Sequence, residues 1–101
     1  MTLAYDRRGS GEPLVLLHGL GTDRHIWRPV MDRLEGERDL IAIDMPGFGG
    51  SPLNANGDLP VPALLARRIA SFMRDELGLE SAHVAGISAG LTAAALAALE
   101  A

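Results

Sequence analysis

At 101 residues, with 48% hydrophobic and 22% charged side chains, the chain is long enough for one modest core and too apolar to be disordered. A net charge of −4 with nine scattered basic residues excludes the electrostatic footprint of a nucleic-acid binder, and the lack of cysteine excludes disulfides and thiolate chemistry. The first eight residues hold no apolar signal core, no run approaches the ~20 apolar residues of a membrane span, and His, Asp and Glu lack close metal-ligand spacing; the expectation is a cytoplasmic protein with no metal, no cofactor and no membrane partner.

Taken in order, Thr2 to Asp6 alternates weakly and runs into Arg7-Arg8-Gly9-Ser10-Gly11-Glu12-Pro13, which predicts a short edge strand and a turn. Leu14-Val15-Leu16-Leu17 is a continuous apolar run, the pattern of a central parallel strand covered on both faces. Gly19 to Asp23 reads as a loop. Ile26, Trp27, Val30, Met31 and Leu34 then recur at helical spacing, with Pro29 tolerable in a first turn, so a helix of about two turns is expected to end at Gly36. Leu40 to Ile43 is a second buried strand, followed by a glycine- and proline-rich loop from Asp44 to about Leu59. From Pro62, Leu65, Ile69, Phe72, Met73 and Leu77 mark one helical face, and Gly78-Leu79 predicts a left-handed cap with an apolar contact. His83 to Gly86 is a third strand, and the alanine-dominated stretch from Leu91 to Ala101 reads as helix.

Alternation of strands and helices at these lengths predicts an α/β, doubly wound, mostly parallel sheet with helices on both faces. If the second and third apolar strands flank the first, the loops leaving the first and third meet in a crevice. Those loops are Gly19-Leu20-Gly21 and Ile87-Ser88-Ala89. The second lies in Gly86-Ile87-Ser88-Ala89-Gly90, where glycines two before and two after a serine permit a sharp strand-to-helix turn that lifts the hydroxyl clear of the sheet. The strand before it and the helix after it separate this spacing from an accidental turn serine. Ser88 is therefore the candidate nucleophile, and the backbone N–H groups of Leu20 and Ala89 are the candidate oxyanion donors.

Leu16-Leu17-His18-Gly19-Leu20-Gly21, Trp27, Ile43-Asp44-Met45-Pro46-Gly47-Phe48-Gly49-Gly50-Ser51 and Gly86-Ile87-Ser88-Ala89-Gly90 together resemble, in this order, the N-terminal part of the α/β-hydrolase superfamily over essentially the whole chain. The resemblance implies a partial α/β-hydrolase fold. It also implies a serine hydrolase acting on a small carboxylic ester through an acyl-enzyme, with an oxyanion donor in the His-Gly segment. Ile87 and Leu91 depart from the pattern, standing where histidine and a second glycine are frequent. The family's acid and histidine follow the serine, yet beyond Ser88 there is only Glu100 and no histidine. Residues 1–101 are thus expected to be a single domain, the N-terminal part of the fold truncated at its C-terminus, inactive alone and with a sheet edge open to self-association. His18, His25 and His83 are not expected to serve as the base. Asp44 is expected to order its loop, and Trp27, Phe72, Met31 and Met73 to fill the core.

The competing readings are a noncatalytic fragment and a Rossmann-like dinucleotide-binding domain. The second is motivated by Gly19-Leu20-Gly21 after a strand and Asp44 about twenty residues on, but Arg24 stands where a third glycine would allow close helix packing. Esterase, lipase, iminopeptidase and carbon–carbon bond hydrolase all remain open as activities.

Overall fold

The computed structural model describes residues 3–19, 21–51 and 62–87. The expected helix from Leu91 to Ala101 lies outside them, as does the end of the loop expected to reach Leu59. Four strands, β1 (Tyr5–Gly9), β2 (Pro13–Leu17), β3 (Asp39–Ile43) and β4 (His83–Gly86), form one sheet in the order β1-β3-β2-β4. β2 runs parallel to both neighbours, with Leu14 to Leu17 opposite Leu40 to Ile43 on one side and His83 to Gly86 on the other. β1 is antiparallel to β3, from Tyr5 opposite Ile43 to Gly9 opposite Asp39. The sheet is mixed and mostly parallel, and its order switches at β2.

Because side chains alternate along a strand, β2 and β3 each feed two cores. Val15, Leu17, Ile41 and Ile43 pack on one face with Leu65, Ile69 and Phe72 of the long helical segment, and Leu3 and Met45 join them. Leu16, Leu40 and Ala42 pack on the other face with Trp27 and Met31. The helices thus cover opposite faces, α1 (Arg28–Leu34) on one and α2 (Pro62–Ser71) on the other. All five residues of β3 are buried, so this strand carries the doubly covered pattern along its length.

Three elements differ from the sequence reading. The edge strand covers Tyr5–Gly9 rather than Thr2 to Asp6, because pairing with β3 extends it through two arginines that point to water and to acids. Arg7 donates to both carboxylate oxygens of Asp39, at 3.0 and 2.7 Å, which makes a charged pair a strand residue. The first helix begins earlier, as a 3-10 turn over Arg24–Trp27 capped by the Asp23 side chain, and becomes α-helical at Arg28 with Pro29 in its first turn. The second helix widens into a π turn over Phe72–Glu76, where the Leu77 N–H reaches back to the Phe72 carbonyl at 3.1 Å. Gly78 then takes φ +67°, and the Leu79 N–H bonds to the Met73 carbonyl at 3.0 Å while Leu79 packs on the core, as expected of a glycine cap with an apolar contact. No helix among the described residues is long and apolar enough to cross a membrane.

Candidate active site

The parallel strands β2, β3 and β4 all end on one side, and their outgoing loops converge there. β2 continues into His18-Gly19, β3 into Asp44-Met45, and β4 into Ile87. The Ile87 N–H bonds to the Leu17 carbonyl at 3.2 Å, one step beyond the Leu17–Gly86 pair. The ladder between β2 and β4 therefore runs up to the residue before Ser88. Ser88, Ala89 and Leu20 themselves lie outside the described residues. What the structure does describe are the supports on either side.

His18 is fully buried, and its Nε2 accepts the Met45 N–H at 2.9 Å. An amide can only donate, so this bond assigns the ring proton of the neutral imidazole to Nδ1, which lies 2.8 Å from the Gly19 carbonyl oxygen. Both nitrogens are thereby engaged, and the ring also meets Phe48 edge-on at 5.4 Å. His18 is a strut between two loops, in line with its expected exclusion as a base. His25 is exposed and tied to Asp23 at 3.1 Å, whose pKa is held below the ordinary carboxylate value, chiefly by the hydrogen bond from the His25 N–H. His83 sits at the opposite end of the sheet. It is opposite Leu14, so three residues of strand, about 10 Å, separate it from the Leu17–Gly86 pair.

Asp44 is the other fully buried ionisable residue of this edge. Its Oδ1 accepts the Arg24 N–H at 2.6 Å, and its Oδ2 accepts Arg24 Nη1 and, at 2.8 Å, the Gly50 N–H. The close approach of Gly50 needs Gly49 to turn at φ +51°, where any Cβ would collide with the Asp44 carboxylate. Ser51 closes the loop by donating to the Asp44 carbonyl at 2.6 Å while accepting the Ala4 N–H at 2.8 Å. Arg24 also pairs through Nε with Asp6, at 3.2 Å. Burial works against the guanidinium charge, but hydrogen bonds and charge from Asp6 and Asp44 outweigh it and raise its pKa. Asp44 thus orders its glycine-rich loop. Both oxygens of its carboxylate are engaged by Arg24 and Gly50, which speaks against the ribose-binding role that the dinucleotide reading gives it.

Arg24 and Ser51 were not singled out from the sequence for this role. The signal was there: an arginine just after the first glycine loop and an aspartate just after the neighbouring strand are brought together by any fold that pairs those strands.

The model of the alpha/beta hydrolase fold family matches residues 12–101. The chain belongs to this family. Among curated relatives, the pimeloyl-[acyl-carrier protein] methyl ester esterase of Aeromonas salmonicida is 37% identical over 90 residues, covering 89% of this chain and 33% of the relative. Among solved structures, a thermophilic esterase from Thermogutta terrifontis matches with TM-score 0.80 and 29% identity over 92% of this chain and 35% of its own. The Cif epoxide hydrolase from Acinetobacter nosocomialis matches with TM-score 0.86 and 28% identity over 98% of this chain and 31% of its own. The chain spans about a third of the length of these relatives.

Proposed function

We propose that this hydrolase is a serine esterase in which Ser88 attacks the carbonyl carbon of a small carboxylic ester. The observation that carries the reading is the bond from the Ile87 N–H to the Leu17 carbonyl, because it joins the strand leading into Gly86-Ile87-Ser88-Ala89-Gly90 to the strand leading into His18-Gly19. In the proposed reaction the Ser88 hydroxyl loses its proton to a histidine as its oxygen bonds to carbon. The carbonyl oxygen becomes an oxyanion held by the backbone N–H groups of Leu20 and Ala89. Collapse expels the alcohol, which takes the proton, and water then releases the acid by the same steps. The Aeromonas relative is named for a methyl ester, which supports an ester rather than another acyl substrate.

The histidine and its acid follow the serine in this family's chain order, and residues 89–101 contain neither a histidine nor an aspartate. The reaction proposed is therefore that of a longer chain, of which residues 1–101 form the N-terminal part of one domain, acting in the cytoplasm. Among the described residues β4 pairs on one side only, and its other side is the place for a further strand or for a second copy. A fluorophosphonate probe tests the assignment in a chain extended to the relatives' length. Labelling is expected at Ser88 and lost in Ser88→Ala, and labelling that survives the substitution defeats the nucleophile. Residues 1–101 alone are expected to hydrolyse p-nitrophenyl acetate no faster than their own Ser88→Ala variant, since a serine without a base keeps only weak residual catalysis.

A further inference from the structure

We infer that His18 is an acid-sensitive latch between the segments that leave β2 and β3, closed by the neutral ring and opened when the ring takes a second proton. Two bonds hold it closed. Nε2 accepts the Met45 N–H at 2.9 Å, and Nδ1–H donates to the Gly19 carbonyl at 2.8 Å, with the Thr22 hydroxyl oxygen 3.4 Å from the same nitrogen. Only the second bond survives protonation. An imidazolium donates from both nitrogens, so Nδ1–H keeps the Gly19 carbonyl, whereas a proton on Nε2 would meet the Met45 N–H, and two donors cannot share a hydrogen bond.

Burial turns the lost bond into movement. His18 and Met45 are both fully buried, and Phe48 meets the ring edge-on at 5.4 Å, so water does not stand ready to take the place of the amide. A charged N–H and a backbone amide left facing each other without acceptors are costly, and the cost is relieved when the Met45 segment withdraws and water enters. The neighbouring charges do not supply the missing acceptor. Asp44, which precedes Met45, has both carboxylate oxygens engaged by Arg24 and Gly50. Asp23, on the ring's own loop, has its pKa lowered first by the His25 N–H and last by His18, and its exposed carboxylate holds the His25 ring at 3.1 Å, where water weakens it as a counter-charge. Leu17 and Ile43, which end the two strands beside the ring, are apolar and buried.

The test is an acid titration of the chain extended to the relatives' length, followed by the ¹⁵N shifts of the His18 ring and by hydrogen exchange of backbone amides. At neutral pH Nε2 is expected to carry no proton, and a proton found there overturns the latch at the outset. As the ring takes its second proton, the Met45 amide is expected to lose at least about tenfold in protection relative to its intrinsic exchange rate at the same pH. The Asp39 amide, which bonds to the Glu12 carbonyl at 3.2 Å at the far end of the strands, should keep its protection. Three results overturn the latch. The ring charges while Met45 stays protected; or the ring stays neutral until Asp39 is lost as well, so that the whole chain unfolds together; or Met45 loosens at a pH where the ring is still neutral, which would assign the opening to Asp44.

Discussion

The two ends of the parallel strands treat charge in opposite ways. At the carboxyl end, His18 and Asp44 are fully buried, and every polar atom of their side chains meets a partner in its own or a neighbouring loop. At the amino end one pair is half-buried, Arg7 on Asp39, and the others lie in water: Arg8 reaches Asp32 at 2.8 Å and Glu35 at 3.4 Å across exposed side chains, and Arg38 contacts His83 at 2.7 Å on the surface. Distances are similar, but the energetic consequences are not. An exposed pair is screened and spends side-chain entropy to hold its geometry, so it contributes little. A buried carboxylate without its partners is costly, so the loops that satisfy Asp44 are forced into one arrangement. The charge at the carboxyl end acts as a specification of loop geometry, and the charge at the amino end, Asp39 with its Arg7 partner apart, is a solvated rim.

Arg24→Ala is the sharpest way to break this contrast. It leaves the Asp44 carboxylate buried with two amide donors and no cation, which is expected to destabilise by about 3 kcal/mol, read as a lower midpoint in urea with an unchanged slope. A loss under about 1 kcal/mol would mean that Gly50 and the Arg24 amide suffice. Next comes Gly49→Ala, which places a methyl group against Asp44 at a positive φ and is expected to cost about 2 kcal/mol by the same measurement. Equal stability would show that the loop can move aside. Arg8→Ala, at the opposite end, should change stability by less than about 0.5 kcal/mol despite removing two ion pairs. The smallest effect belongs to Asp23. Its pKa is lower in the folded chain than in the unfolded one, so the ionised form is favoured by folding, its stabilisation is full above the unfolded value and is lost as pH falls through the folded one. The melting-temperature gap between the wild type and Asp23→Ala should therefore narrow on acidification below the ordinary carboxylate value of 3.8. A gap that stays constant with pH would assign the effect to something other than the charge.

The apolar strands were legible because burial on both faces leaves a run with no polar interruption, as in Leu14 to Leu17 and Leu40 to Ile43. Their order was framed only as a condition, that the second and third apolar strands flank the first, and the structure has that arrangement. Less visible was the extent of β1: Arg7 and Arg8 look like turn residues until Asp39 and Asp32 are known to face them, and those partners are distant in the chain. The π turn had no signal, because Phe72, Met73 and Leu77 fit an α-helical stripe equally well. At the site, the serine between spaced glycines and the His-Gly loop stood out by motif. The Arg24–Asp44 pair did not, since a contact made across two loops leaves no local spacing to read.

The bond from Ala4 to Ser51 bears on how the chain is handled at its beginning. Leu3 is 1% exposed and packs in the core beside Met45, and the Ala4 carbonyl receives the Asp44 N–H at 2.9 Å. Leu3 and Ala4 are therefore a wall of the Asp44 loop. Trimming four residues for expression would empty a core position and strip Ser51 of the amide it accepts, and the damage would surface some forty-seven positions downstream, at the loop that holds Arg24. A fusion partner is better joined before Met1 through a linker long enough to leave Leu3 and Ala4 in place.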